Sequence, residues 1–306
     1  MRGPTIGVLA VLMIMAAACG QVPSGTDVPA VSPTLTAPPS PVRPMPSVSP
    51  TAVTPTTVTP TTVTPTTPSC PAAVPDRLSL KGVQGRSFAF ARLDDPDDVT
   101  VEGRVSGSQA WSTSKVLVVA AFLDTTADGD PARATAANRR SITAALQSSD
   151  ADAVRSLRQQ IPGSPGRAMT AVLRSVGDDE TVAPDSYEGT MPWSVREQVR
   201  FMAALDAGEV VSPTTSAYLL ETMRPIAAHR WGLGTVGATT FKGGWLRQGR
   251  VTRQLGLLDS YAVAISTDRG PVVRQTDGDS AHVRAMDDLA ELLAARLAWE
   301  QNCRRR

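Results

Sequence analysis

The chain has 306 residues, 42% of them hydrophobic, which is ample apolar material for a globular core. Its 30 basic residues nearly balance 29 acidic ones, the net charge is +1 and no basic stripe appears, all of which argues against nucleic acid as a partner. Almost all the basic residues are arginine; the lysines are Lys81, Lys115 and Lys242. A lysine therefore marks a place where arginine would not serve, because a buried lysine can lose its proton and an arginine cannot.

The amino end reads as an export signal. Met1 and Arg2 precede an apolar run from Ile6 to Met15, followed by the small residues Ala16, Ala17 and Ala18, then Cys19 and Gly20. This pattern resembles a bacterial lipobox. The resemblance implies cleavage after Ala18, a lipid on the Cys19 thiol, and a mature protein held on the outer face of the cytoplasmic membrane. An ordinary secretory signal with an incidental cysteine is the alternative, and a transmembrane helix is disfavoured because the run falls short of the roughly 20 residues needed to span. From Gln21 to Ser69 Pro, Thr, Ser and Val dominate, ending in tandem Val-Thr-Pro-Thr-Thr repeats from Val53 to Thr67. Such a segment cannot bury enough apolar surface to offset its ordering entropy and favours extended polyproline II. It is expected to be a disordered stalk with a reach on the order of 150 Å.

Residues 70–306 form the expected domain, with Cys70 and Cys303 at its two ends. In an oxidising compartment, with Cys19 lipidated, these two are expected to pair; two terminal thiols are the alternative. Within the domain, Ser87–Leu93 and Val99–Val105 alternate or run β-branched, with Asp94–Asp98 between them as the expected connection of a hairpin. Lys115–Leu123 is apolar all round, the mark of a buried helix. Polar-capped helical stretches follow at Ala136–Gln147, Ala151–Ile161, Ser164–Val176, Trp193–Leu205 and Ser212–Met223. Strands are expected at Thr239–Leu246, Arg253–Leu258 and Tyr261–Thr267, and an amphipathic helix at Ser280–Glu300. Two strands, a helical block, three strands and a last helix make an α+β pattern in which terminal segments share one antiparallel sheet.

Three motifs sit on this frame. Ser112-Thr113-Ser114-Lys115 opens the apolar helix, where Ser and Lys at i and i+3 share a face and the amine can take the hydroxyl proton. A charge opening a wholly apolar helix is costly without a task, although an N-cap serine beside a solvated lysine has the same spelling. Ser148-Ser149-Asp150-Ala151 lies between two expected helices, so Ser149 or Asp150 also reads as a plain helix cap. Lys242-Gly243-Gly244 lies on an expected strand, where the glycines would let another backbone approach closely and Lys242 would supply positive potential. A plain edge-strand lysine is the bland alternative.

From Ser87 to Glu300 the order of elements and motifs resembles the serine β-lactamase and penicillin-binding protein superfamily, most of all the class A β-lactamases. The resemblance implies Ser112 as nucleophile, Lys115 as its base, Ser149 as proton relay between the two lysines, and Lys242, Gly243 and Gly244 along the substrate. It implies an oxyanion hole made of the Ser112 N–H and one from the strand after Gly244. Two departures stand out: Ala151 replaces the family's asparagine, and Gly243 lacks the usual hydroxyl, which weakens carboxylate binding unless Arg247 or Arg253 contributes. Leu173–Thr181 looks like the lead-in to the class A omega loop, but Val182–Trp193 lacks the Glu-x-x-Leu-Asn signature. Glu188 lies near the expected place, out of register, and reads as a solvated loop residue; it is still the candidate for water activation. Implied substrates are D-alanyl-D-alanine peptides or β-lactams. A catalytically impaired cell-wall binding or scaffold lipoprotein is the competing reading. No cofactor is implied, a monomer is expected, and His229 and His282 lack neighbours at metal-ligand spacing, so no metal is expected.

Overall fold

A computed structural model describes residues 73–245, 251–268 and 281–303, all within the compact unit Thr66–Arg306. The signal sequence with Cys19, the Pro/Thr-rich segment, Cys70 and Arg247 lie outside the described residues. Five strands are described: β1 (Arg86–Arg92), β2 (Asp95–Arg104), β3 (Phe241–Trp245), β4 (Thr252–Leu258) and β5 (Tyr261–Thr267). They form one antiparallel sheet in the order β2-β1-β5-β4-β3, so the first and last strands in sequence share it, as the α+β pattern requires.

Strand alternation gives the sheet two different faces. Ala89 and Ala91 of β1 stand in register with Ala264 and Ala262 of β5, and these small residues meet the helical block. Phe88 and Phe90 pair with Ile265 and Val263 on the other face. That face is covered by α7 (Ala281–Cys303), whose Met286, Leu289, Ala290, Leu293 and Leu297 recur at helical spacing and are buried. The period-2 rule carries through to β3: Phe241 joins the α7 side, which places Lys242 and Gly244 on the side of the helical block.

The helical block is arranged around α1 (Ser114–Ala127), whose residues from Ser114 to Leu123 are all buried. The surrounding helices are α2 (Ala136–Gln147), α3 (Ala151–Gln160), α4 (Pro165–Ser175), α5 (Val195–Asp206) and α6 (Pro213–Thr222). Their starts follow local chemistry. Thr135, Ser164, Ser194 and Ser212 each accept a hydrogen bond from a backbone N–H of the first turn, and proline opens α4 and α6.

One expected boundary moves. The acidic, Pro-containing segment Asp94–Asp98 is not the hairpin connection; only Leu93 and Asp94 turn, and β2 begins at Asp95 with Pro96 inside it. β2 is an edge strand, so a missing N–H and exposed carboxylates are tolerated there and blunt the edge against further pairing.

Candidate active site

Ser112 lies in a 3₁₀ turn, Trp111–Thr113, that runs directly into α1. One turn on, Lys115 reaches back and its Nζ donates to Ser112 Oγ at 2.7 Å. Lys115 is only 7% exposed, and burial pushes its amine below the ordinary lysine value against the pull of the Glu188 and Asp150 carboxylates. The backbone ahead of the serine is held unusually: Trp111 has φ 47°, a left-handed conformation rare for a bulky residue and common at functional sites. The N-cap alternative for this motif is not what forms, since the Ser112 hydroxyl accepts from the amine.

Lys242 approaches from β3. It is 3% exposed, and its Nζ donates to Ser149 Oγ at 2.9 Å and to the Gly243 carbonyl at 2.8 Å. Burial first, and then the charge of Lys115, push its amine well below the ordinary value. Such a lysine is no solvated edge residue. Ser149 and Asp150 divide the tasks between which the sequence left a choice. Asp150 caps α3 by accepting from the Asp152 and Ala153 N–H groups, while Ser149, at φ 61°, turns its hydroxyl to Lys242.

Gly244 packs against the nucleophile turn. A Cβ there would lie 2.9 Å from the Ser112 nitrogen and 2.8 Å from the Thr113 nitrogen, so only glycine lets β3 come this close. The edge of β3 adds a donor. Phe241 N–H leaves the sheet to reach the Met223 carbonyl, and backbone alternation points the Gly243 and Trp245 N–H groups to the same outer edge. Ser112 and Trp245 line the same cleft, which makes the Trp245 N–H a candidate second donor for an oxyanion.

Gly243 has a packing reason. A Cβ at this position would already touch the Trp231 ring at 3.4 Å and the Trp245 ring at 3.6 Å. The two rings meet edge to face with centroids 5.3 Å apart, and His229 joins Trp245 at 5.4 Å. Gln254 holds the Trp231 turn in place by accepting from Leu233 N–H and donating to the Trp231 carbonyl, 2.8 Å each. A Cβ at Gly243 would be in ordinary contact with both rings, so any longer side chain has to pass between or beside them.

Two expectations change. Arg253 does not face a substrate: its guanidinium donates to the carbonyls of Gly107, Ser108 and Trp193 at 2.9–3.0 Å, and burial pushes its pKa down to about 10. It ties the segment before the nucleophile to the end of the 182–193 loop. Glu188 is not solvated. It is 9% exposed, opens the 3₁₀ turn Glu188–Thr190, and pairs with Arg158 of α3. Sequence reasoning missed Arg158 because the two partners stand 30 residues apart, with nothing periodic to link them.

A cleft of about 330 Å³ is lined by Trp111, Ser112, Lys115, Arg158, Glu188 and Trp245, with Ala151 on the α3 wall, while Ser149, Lys242, Gly243 and Gly244 are not among its lining residues. A hydroxyl in contact with a buried amine, and a second buried amine bonded to a second hydroxyl, are parts that acyl transfer requires.

Neither a protein-family model nor a curated protein matches the chain. Solved structures do. PBP-A is 20% identical over 71% of this chain and 90% of its own, with a TM-score of 0.51. The β-lactamase from Sphaerobacter thermophilus DSM 20745 is 16% identical over 71% and 92%, with a TM-score of 0.55. A class A β-lactamase representative from Bacteroides cellulosilyticus DSM 14838 is 13% identical over 70% and 91%, with a TM-score of 0.53. Over nearly the full length of those proteins, and with the element order and strand pairing described above, the domain has the serine β-lactamase and penicillin-binding protein fold.

Proposed function

We propose that the protein is a serine acyl-transfer enzyme in which Ser112 forms an acyl-enzyme with D-alanyl-D-alanine peptides or β-lactams. The observation that carries this reading is the 2.7 Å contact between Ser112 Oγ and an amine that burial makes easier to deprotonate. In this reading Lys115 takes the hydroxyl proton as Oγ attacks the carbonyl. The Ser112 and Trp245 N–H groups stabilise the oxyanion, and Ser149, bonded to Lys242, returns a proton to the leaving group. Support for the substrate class comes from the likeness to PBP-A, a single-site mutant of which has a structure as an acyl-enzyme complex with penicillin G.

Labelling with a fluorescent penicillin tests it. A covalent adduct on Ser112, lost in Ser112→Ala, is the expected result. No adduct at high concentration favours the competing reading, a catalytically impaired binding or scaffold module, for which Ala151 and Gly243 speak.

The location proposed is extracytoplasmic, with a monomeric domain tethered by lipid on Cys19 and spaced from the membrane by residues 21–69. A Cys70–Cys303 bond is proposed to close the domain. Support comes from the Leu78 carbonyl, which accepts from Arg296 of α7 at 3.5 Å and so brings the chain just after Cys70 beside the helix that ends at Cys303.

A further inference from the structure

Across the cleft from Ser112 and Lys115 stands a wall made by one face of α3, with Ala151, Val154 and Arg158, and by the turn Glu188–Thr190. That turn is fixed against the nucleophile. Gly189 approaches Trp111 so closely that a Cβ would lie 3.2 Å from the Trp111 Cα. Tyr187 adopts φ 56°, which leaves its own side chain 78% exposed while the next residue, Glu188, enters the interior. Glu188 is the one carboxylate among the described residues lining the cleft, and its charge is felt at Lys115.

Placed there, Glu188 is where a water-activating base belongs, yet it is already engaged. Arg158 Nη1 donates to its Oε2, and the two side chains are only 16% and 11% exposed. A guanidinium bonded to that oxygen occupies the place from which a water would be held and deprotonated.

We propose that Arg158 is a positioning residue that withholds Glu188 from water and thereby makes the acyl-enzyme on Ser112 long-lived. This rests on the acyl-transfer reading above. In the step concerned, water adds to the carbonyl carbon of the Ser112 ester while its proton passes to a carboxylate oxygen of Glu188. The bond from that carbon to Oγ then breaks, the free acid leaves, and Oγ recovers the proton from Glu188 by way of Lys115. With Arg158 bound to Glu188 the first proton transfer is slow. Without it that carboxylate oxygen is open to a water in the cleft.

The test uses the full chain, acylated with a fluorescent penicillin and then chased with unlabelled penicillin, following loss of label from Ser112. Arg158→Gln is expected to shed the label about tenfold faster or more, within the range that a general base contributes. Arg158→Lys should stay near wild type, and the Arg158→Gln, Glu188→Gln double variant should return to the slow rate. Damage to the fold does not speed a chemical step, so acceleration reversed by the second substitution reports on the restraint itself. Label that decays at the wild-type rate or slower in Arg158→Gln overturns the proposal, as does a double variant that stays fast. The initial burst reports separately on the acyl-transfer reading: absence of label from wild type and Arg158→Gln alike sinks both.

Discussion

Lys115 and Lys242 are two amines in one buried site, 7% and 3% exposed, and the residues around them decide which charge states are tolerable. Both folded values lie below the ordinary lysine value. A base must be neutral to accept a proton, so acylation at Ser112 should rise with pH and level off below about 10.4, where an unperturbed lysine titrates. Stopped-flow acylation across pH checks this, and a rate still climbing at the ordinary lysine value would contradict it. Lys115→Ala should slow acylation by about 10²- to 10⁴-fold at every pH. The same shifts have a stability sign. Between the lowered folded value and the unfolded one the unfolded chain binds more protons, so these lysines penalise folding at neutral pH and the penalty fades as pH rises. Lys242 also lacks a carboxylate partner among its described hydrogen bonds. Lys242→Met should therefore raise Tm by a few degrees, about 1 kcal/mol, while removing acylation. A fall in Tm would show that its bonds to Ser149 and Gly243 outweigh the burial cost.

At the level of elements, the site is a junction between the edge of β3 and the turn that starts α1, and two glycines set the fit. A methyl at Gly244 meets backbone nitrogen at 2.8–2.9 Å, and backbone cannot swing aside as a side chain can. Gly244→Ala should push β3 away from Ser112 and cost about 10²-fold in acylation, the scale of an ångström misplacement, with Lys115 still bonded to the serine. Gly243→Thr tests the neighbouring contact. Adding the hydroxyl that the sequence resemblance leads one to expect should not improve penicillin acylation here, because the new side chain has to pass the Trp231 and Trp245 rings that a Cβ already touches. Overpacking there should cost about 1–3 kcal/mol in chemical denaturation. Faster acylation with unchanged stability would mean that the tryptophans yield.

For the molecule as a whole, the segment Leu78–Leu80 meets the last helix, α7, at a buried ion-pair network. Arg296 donates to Glu102 of β2 at 2.6 Å and to Glu300 at 2.9 Å, and Glu102 also accepts from Ser79 and from the Leu80 N–H. A Cys70–Cys303 bond would close a very long loop beside this network, so Cys303→Ser should lower unfolding free energy in urea by up to about 5 kcal/mol. Reduction of wild type should have the same effect, and no change on reduction would end the pairing. The proposed tether makes its own prediction: Cys19→Ala should release folded, acylation-competent protein from the membrane fraction, and wild type found without lipid in the soluble fraction would overturn it.

The sequence by itself determined what depends on near neighbours. An all-apolar stretch after Ser112 specified a buried α1, Ser-x-x-Lys spacing specified a contact one helical turn long, and serine or threonine caps set helix starts to within a residue or two. Which face of β1 and β5 meets which layer was not specified, because both faces of these strands are apolar and buried. Tertiary structure decided what depends on distant ones. Ser149 or Asp150 as cap was settled only when Lys242 arrived from a strand 93 residues away. Glu188 reads as solvated in its polar loop, and only the turn at Tyr187 and the approach of α3 bury it against Arg158. Arg253 alternates correctly for a strand, but its carbonyl partners come from two loops more than 50 residues upstream. Gly243 looks like a lost hydroxyl until the Trp231 ring is seen against it. Periodicity and capping are encoded within a few residues of where they act, whereas a buried charge pair or a filled void exists only after separate elements have packed.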